Sequence, residues 1–119
     1  MDSMEYIDYE AFEKRTMNDV GFQQEFLGLS ATLFEQYHDQ MSEAAEKKEY
    51  VIIKGLAHKA KTGAALMGMD NVSAEYQKLE NEILVDHYDP MMIVRIEAIR
   101  NAFNNCIVLL KQYINSKNK

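Results

Sequence analysis

The stretch IEAIRNAFNNCIVLLKQYI, residues 96–114, decides the fold expected for this chain. Its apolar residues recur at spacings of three and four, and they are Ile96, Ile99, Phe103, Ile107, Leu110 and Ile114. That period places them on one face of an α-helix, which must bury this face against other elements. The helix is predicted to begin at Asp89-Pro90, a capping residue followed by proline at the first helical position, and to run to the C-terminus.

Four segments upstream show the same helical pattern. They are predicted at about Tyr6 to Lys14, about Asp19 to Lys47, about Glu49 to Met67, and from Asp70 or Asn71, both good N-cap residues, onward. The fourth segment has its predicted core stripe at Val72, Tyr76, Leu79 and Ile83. In the second segment the predicted core stripe is Phe22, Phe26, Leu29, Leu33, Tyr37, Met41 and Ala44. Long amphipathic helices with short connections are typical of one architecture. We therefore expect an all-α protein, an antiparallel up-down four-helix bundle with a short extra N-terminal helix, as one domain over residues 1–119.

The composition excludes several other classes of protein. One proline and five glycines among 119 residues are too few turn residues for an all-β sandwich or barrel. A net charge of -6 argues against a protein that holds nucleic-acid phosphates. Apolar runs reach only four or five residues, far short of the ~20 that span a bilayer. A single cysteine cannot form an internal disulfide. We expect a cytoplasmic monomer that binds neither nucleic acid nor membrane and has no cofactor.

The third segment combines a core face with an unusual outer face. On a helical wheel its inward residues are Ile53, Leu56, Ala60, Gly63, Ala64 and Met67. His58 falls roughly opposite, so its ring is predicted to project into solvent at mid-helix. Three of the five glycines, Gly55, Gly63 and Gly68, lie within fourteen residues here. Because a glycine inside a helix costs about 0.8–1 kcal/mol against alanine, this cluster indicates that something comes close to the helix.

Charge also concentrates in this segment. Residues 47–61 hold five lysines and one glutamate, a local charge of +4 that leaves -10 elsewhere. Solvated lysines on an exposed face would explain the charge alone. An anionic partner that comes close to the helix would explain both the charge and the small residues around His58. Neutral imidazole can take a phosphoryl group on nitrogen. Lys61, three residues further on, can supply positive charge to the phosphoryl oxygens. The chain has no phosphate-binding loop for ATP, so the phosphoryl group would come from another protein.

The stretch HKAKTGAALMG, residues 58–68, resembles the active-site helix of histidine-containing phosphotransfer (HPt) domains. The pattern of that family is H-x-x-K-G with a second glycine ten residues after the histidine, and His58, Lys61 and Gly68 match it. Val72 and the pair Leu79-Glu80 fall where the family carries an apolar residue and a Leu-Glu pair. The resemblance implies a phosphorelay intermediate, without kinase activity of its own, that takes a phosphoryl group on His58 and stabilises it with Lys61.

The family resemblance also implies the partners, which are receiver domains of response regulators or of hybrid histidine kinases. We expect these to dock on Lys54, Gly55, Lys59, Thr62 and Ala65. The chain departs from the family pattern at Thr62, where a glycine is usual, and this adds bulk beside the histidine. The difference bears on partner identity and transfer rate.

Two alternative functions stay open at this point. The chain could be a non-catalytic interaction bundle that binds a signalling partner without being phosphorylated, or a structural bundle with an accidental exposed histidine. No metal site is expected, because the Glu-x-x-His that ends at His38 has no second copy. His87 is predicted to be solvated in a loop, and Cys106 to be a small core residue. Tyr6, Ile7 and Tyr9 on the first helix could either cover the core or form a docking patch.

Overall fold

The computed structural model describes residues 3–83 and 89–117. Its helices are α1 (Tyr9–Arg15), α2 (Val20–Glu46), α3 (Tyr50–Leu66), α4 (Asp70–Glu82) and α5 (Met92–Lys117). No β-strand occurs in the described ranges. The predicted all-α class is confirmed.

The four long helices enclose one apolar core. Helix α3 packs against α2 and α4, and α5 packs against the same two helices, so the contacts form a closed ring. The short helix α1 packs against α3. At the centre the ring of Phe34 stacks on that of Phe103 with centroids 4.1 Å apart, and Tyr76 lies fully buried beside them. This core fixes the direction in which each outer face of α3 and α4 points.

The predicted core stripes of α3, α4 and α5 agree with the structure, except that Gly63 is only half-buried. The stripe predicted for the first half of α2 is wrong. Leu29 is 65% exposed, and Phe22 and Leu33 are exposed as well. The buried positions in this part of α2 are Gln23, Leu27, Ser30 and Phe34.

The physical reason lies in partners that the helix period does not reveal. The Gln23 amide donates to the Thr16 hydroxyl, with Nε2 and Oγ1 2.9 Å apart, and this bond ties α2 to the segment after α1. Phe34 is held by its stack on Phe103. These contacts turn α2 so that the apolar face with Leu29 and Leu33 points to solvent.

Two helix starts differ from their predicted positions, and a third helix has a different N-cap residue. Helix α1 begins at Tyr9 rather than near Tyr6, because the Asp8 carboxylate accepts from the third backbone N–H that follows it and caps the helix there. Helix α4 begins at Asp70 as predicted, but its N-cap is the buried Met69. Burial of that apolar side chain fixes the entry into α4 without a side-chain cap.

Helix α5 begins at Met92 rather than at Asp89-Pro90. The Asp89 carboxylate accepts from the Met91 N–H at 2.9 Å, and its carbonyl accepts from the Met92 N–H at 3.0 Å. Asp89 therefore stabilises a turn in front of the helix. At the start of α2 the Asp19 carboxylate accepts from the Phe22 N–H and caps the helix.

A glycine turn between α3 and α4 holds the N-terminal segment in place. Gly68 has φ +77°, a conformation in which a side chain is strained. Its N–H donates to the Ala65 carbonyl, and the Met69 N–H donates to the Ala64 carbonyl, both at 3.0 Å, which closes the end of α3. The Gly68 carbonyl accepts from the Asp8 N–H at 2.8 Å. A Cβ on Gly68 would lie 2.4 Å from the Asp8 carbonyl oxygen, so the close approach needs glycine.

Candidate functional site

His58 projects from the outer face of α3. Its side chain is 63% exposed, as the helical wheel predicts. The same helix buries Ile53, Ala57, Ala60 and Ala64 in the core. Because several turns of buried residues anchor α3, the helix holds the exposed imidazole on a rigid base.

A carboxylate from α4 fixes the orientation of the imidazole. Nδ1 of His58 lies 2.9 Å from Oε2 of Glu80, whose side chain is only 15% exposed. An ionised carboxylate can only accept a hydrogen bond, so Nδ1 carries the proton. In the neutral ring Nε2 then keeps its lone pair and is the nucleophilic nitrogen.

Lys61 shares this carboxylate with the histidine. Its Nζ lies 2.7 Å from Oε1 of Glu80 and 2.6 Å from Oε1 of Gln77. The Lys61 side chain is 21% exposed, so it lies deeper than the imidazole of His58. One N–H of its ammonium group remains for an incoming oxygen. Glu80 thereby places a cation and a nucleophilic nitrogen side by side.

The charges around Glu80 keep it ionised. The hydrogen bond from Lys61 is the largest cause that lowers the pKa of Glu80 below its ordinary value. The bond from His58, the charge of Lys61 and the charge of His58 when its ring is protonated act in the same direction, while partial burial opposes them. The acceptor that orients His58 is therefore present throughout the neutral pH range.

The contact between α3 and α4 is stabilised just beside these side chains. The Ser73 hydroxyl donates to the main-chain carbonyl of Lys61 at 2.8 Å. Ser73, Gln77 and Glu80 lie at spacings of four and three, so they form one polar stripe along α4 that faces α3. This stripe positions the partners of His58 and Lys61.

The predicted docking residues surround His58 to different depths. Lys54, Gly55, Lys59 and Thr62 are exposed, and Ala65 is half-buried. A Cβ on Gly55 would meet nothing within 4 Å, whereas one on Gly63 would lie 2.9 Å from the Phe34 ring. Packing therefore explains Gly63, and the Asp8 backbone explains Gly68. Gly55 is the glycine of this group that packing leaves unexplained.

Sequence reasoning missed the roles of Glu80, Gln77 and Arg15. Glu80 was noted as part of a Leu-Glu pair, but its bond to His58 was not predicted. The sequence signal for these contacts was the polar stripe Ser73, Gln77 and Glu80, which lies beside the apolar stripe of α4 and so next to the neighbouring helix that carries His58. Arg15 donates from Nη1 to the Ala65 carbonyl and so brings α1 to this face. Nothing in the local sequence of α1 indicates that contact.

His38 and Cys106 lie in the core, away from this site. His38 is buried in the core, where its Nε2 shares a hydrogen bond with the Tyr76 hydroxyl. Burial is the main cause that lowers the pKa of His38 to about 4; the charge of Arg100 adds to it and that of Asp39 opposes it. Cys106 is buried as predicted, and burial raises the pKa of its thiol to about 11. His87 lies outside the described residues.

The residues predicted for the first helix divide between core and surface, and Tyr6 and Ile7 lie ahead of α1. Ile7 is buried, Tyr9 is half-buried with its ring 4.6 Å from that of Tyr113, and Tyr6 is 48% exposed. Across residues 3–83 and 89–117 no three His, Cys, Asp or Glu side chains are grouped to hold a metal ion. Within the same ranges no helix is long and apolar enough to cross a bilayer.

Comparison of the chain with protein-family models, with curated proteins and with solved structures gives no match.

Proposed function

We propose that this chain is a phosphorelay intermediate of the HPt type. His58 accepts a phosphoryl group from a receiver-domain aspartate and passes it to another receiver. The observation that carries the proposal is the Glu80 carboxylate, which binds His58 Nδ1 at 2.9 Å and Lys61 Nζ at 2.7 Å. The closed ring of helix contacts supports the finer architecture as well, an antiparallel up-down four-helix bundle with α1 attached.

The chemistry follows from the protonation of the ring. The Nε2 lone pair attacks the phosphorus of the aspartyl phosphate. An N–P bond forms while the P–O bond to the aspartate breaks, and the aspartate leaves as a carboxylate. The ring keeps its Nδ1 proton and becomes positively charged, and the Glu80 carboxylate balances that charge.

Lys61 acts on the transferred group. Phosphoryl transfer needs positive charge near the equatorial oxygens more than it needs covalent help. Because Lys61 is three residues from His58, its ammonium group lies on the same face and can turn one N–H toward the phosphoryl oxygens. Its bonds to Glu80 and Gln77 hold it ready in that region.

The test is phosphotransfer from a panel of phosphorylated receiver domains, with His58→Gln as the control. We expect acid-labile phosphate on the wild-type chain and none on the variant, whose fold should be unchanged because the side chain is exposed. Phosphoramidate, a small-molecule donor to imidazole, tests the nucleophile without a protein partner. Receivers that bind without transferring phosphate would favour the non-catalytic interaction module instead.

A further inference from the structure

A surface groove of about 370 Å³ begins beside the candidate phosphoacceptor. Its walls come from α1, α3 and α4, and its lining residues are Arg15, Lys61, Thr62, Ala65, Leu66 and Ser73. Two of the predicted docking residues, Thr62 and Ala65, thus line the same groove as Arg15 of α1. The sequence alone did not predict that Arg15 lies beside them. Most of its lining residues are polar, and Leu66, which is 48% exposed, is the large apolar one among them.

Arg15 is held in this groove by the architecture around it. Its Nη1 donates to the Ala65 carbonyl. Helix α1 is fixed at its start by the Asp8–Gly68 backbone bond and at its end by the bond from Gln23 to Thr16. No carboxylate within residues 3–83 and 89–117 forms an ion pair with Arg15. The rest of its guanidinium therefore remains available to an anionic group.

The chemistry of the groove suits a carboxylate next to an apolar side chain. A guanidinium is a planar fork that binds a carboxylate through two parallel hydrogen bonds. Lys61 contributes a second positive charge that Glu80 already balances. The exposed part of Leu66 offers a contact for an apolar neighbour of that carboxylate.

The distance from His58 separates this role from the transfer step. Ala65, the partner of Arg15, is seven residues after His58, which is about 10 Å along the helix axis. A group bound by Arg15 is therefore too far along α3 to take part in the chemistry at Nε2. It can only position the protein that carries the phosphoryl group.

We propose that Arg15 docks an acidic side chain of the receiver partner in this groove and so helps to select that partner. The inference rests on the proposed function, because the receiver is the partner which that function requires. Helix α1 then has two tasks. It covers the core through Phe12, and it carries the docking cation. The exposed cations near His58 would supply long-range attraction, whereas Arg15 would supply a directed contact.

The test measures receiver binding and phosphotransfer separately for wild type, Arg15→Ala, Arg15→Lys and Lys14→Ala. Lys14 is the matched control, since it is the neighbouring exposed cation on α1 and does not line the groove. Loss of a bidentate charged hydrogen bond should weaken receiver binding at least about tenfold in Arg15→Ala. Arg15→Lys should recover only part of this loss, and Lys14→Ala should bind like wild type. Thermal unfolding of each variant checks that the fold is kept.

Labelling of His58 by phosphoramidate should be equal in all four proteins, because the small donor needs no docking. Equal receiver binding by wild type and Arg15→Ala would overturn the inference while the proposed function stood. Binding by no receiver at all would overturn it too. If receivers bound wild type more tightly than Arg15→Ala but His58 took no phosphate from any donor, the docking inference would stand and the phosphorelay proposal would fall. A competition assay adds inorganic phosphate or an acidic peptide from the receiver to the complex of the chain with the receiver. If both displaced the receiver equally well, the groove would bind small anions and select no partner.

Discussion

Gly55→Ala and Gly63→Ala make the same chemical change in the same helix, yet the structure predicts opposite effects on stability. Alanine in a helix interior is favoured over glycine by about 0.8–1 kcal/mol, because glycine loses more backbone freedom on folding. At Gly55 the added methyl group meets nothing within 4 Å, so the full gain should appear. The free energy of unfolding should rise by about 1 kcal/mol in Gly55→Ala.

At Gly63 the same gain is opposed by a clash. The added Cβ would lie 2.9 Å from Phe34 Cζ and 3.0 Å from Cε1. Phe34 is 2% exposed and stacks on Phe103, so its ring has little room to move. Overpacking a core in this way costs about 1–3 kcal/mol, which leaves a net loss of up to about 2 kcal/mol. Gly63→Ala should therefore be no more stable than wild type, and Gly55→Ala should be clearly more stable.

Urea unfolding followed by circular dichroism measures both changes, and thermal unfolding should show a rise of about 4 °C for Gly55→Ala. Equal stabilisation of the two variants would refute the packing argument at Gly63. A loss of stability in Gly55→Ala would refute the open surface beside His58. If a partner approaches that surface closely, the more stable Gly55→Ala should also exchange phosphate with receivers more slowly, while phosphoramidate labels it at the wild-type rate.

Three further outcomes follow from other contacts. Lys61→Ala should slow phosphoryl transfer from receivers and shorten the lifetime of the phosphorylated chain, both measured with labelled phosphate. An unchanged rate would mean that Lys61 only forms the ion pair with Glu80 and does not act on the phosphoryl group. The pKa of His38 is lowered to about 4, so below about pH 6.5 the unfolded chain binds a proton that the folded chain does not, and the free energy of unfolding should fall by up to ~1.4 kcal/mol per pH unit. Urea unfolding between pH 7 and 5 should show a flatter slope for His38→Gln, and a slope identical to that of wild type would disprove the role of His38. Gly68→Ala should lower the melting temperature, because it combines a positive φ with a Cβ 2.4 Å from the Asp8 carbonyl oxygen, and a wild-type melt would contradict that geometry.

The helical period predicted the core where one apolar stripe dominates. The stripe from Ile96 to Ile114 is buried along its whole length, and so is that of α4. In α2 two neighbouring apolar faces compete, one with Leu29 and Leu33 and one with Leu27 and Phe34. The choice between them depends on contacts with α1 and α5 that the local sequence does not contain.

The candidate site also has one part that the sequence predicts and one part that it does not. The exposure of His58 follows from its angle on α3 and was predictable. The bonds of Glu80 depend on how α3 and α4 are set against each other, and the bond from Arg15 depends on the turn at Gly68. Such contacts between helices carry no periodic signal. The motif therefore indicated the candidate nucleophile, and the structure was needed to identify the residue that orients it.

The most direct test of the account is the position of the phosphoryl group on the imidazole. After incubation with a phosphorylated receiver, the chain should carry one acid-labile phosphoryl group, bonded to Nε2 of His58, as read by nitrogen and phosphorus NMR of the labelled ring. His58→Gln should carry none. Phosphate on Nδ1 would contradict the orientation by Glu80, and an unlabelled His58 with every receiver and with phosphoramidate would contradict the phosphorelay function itself.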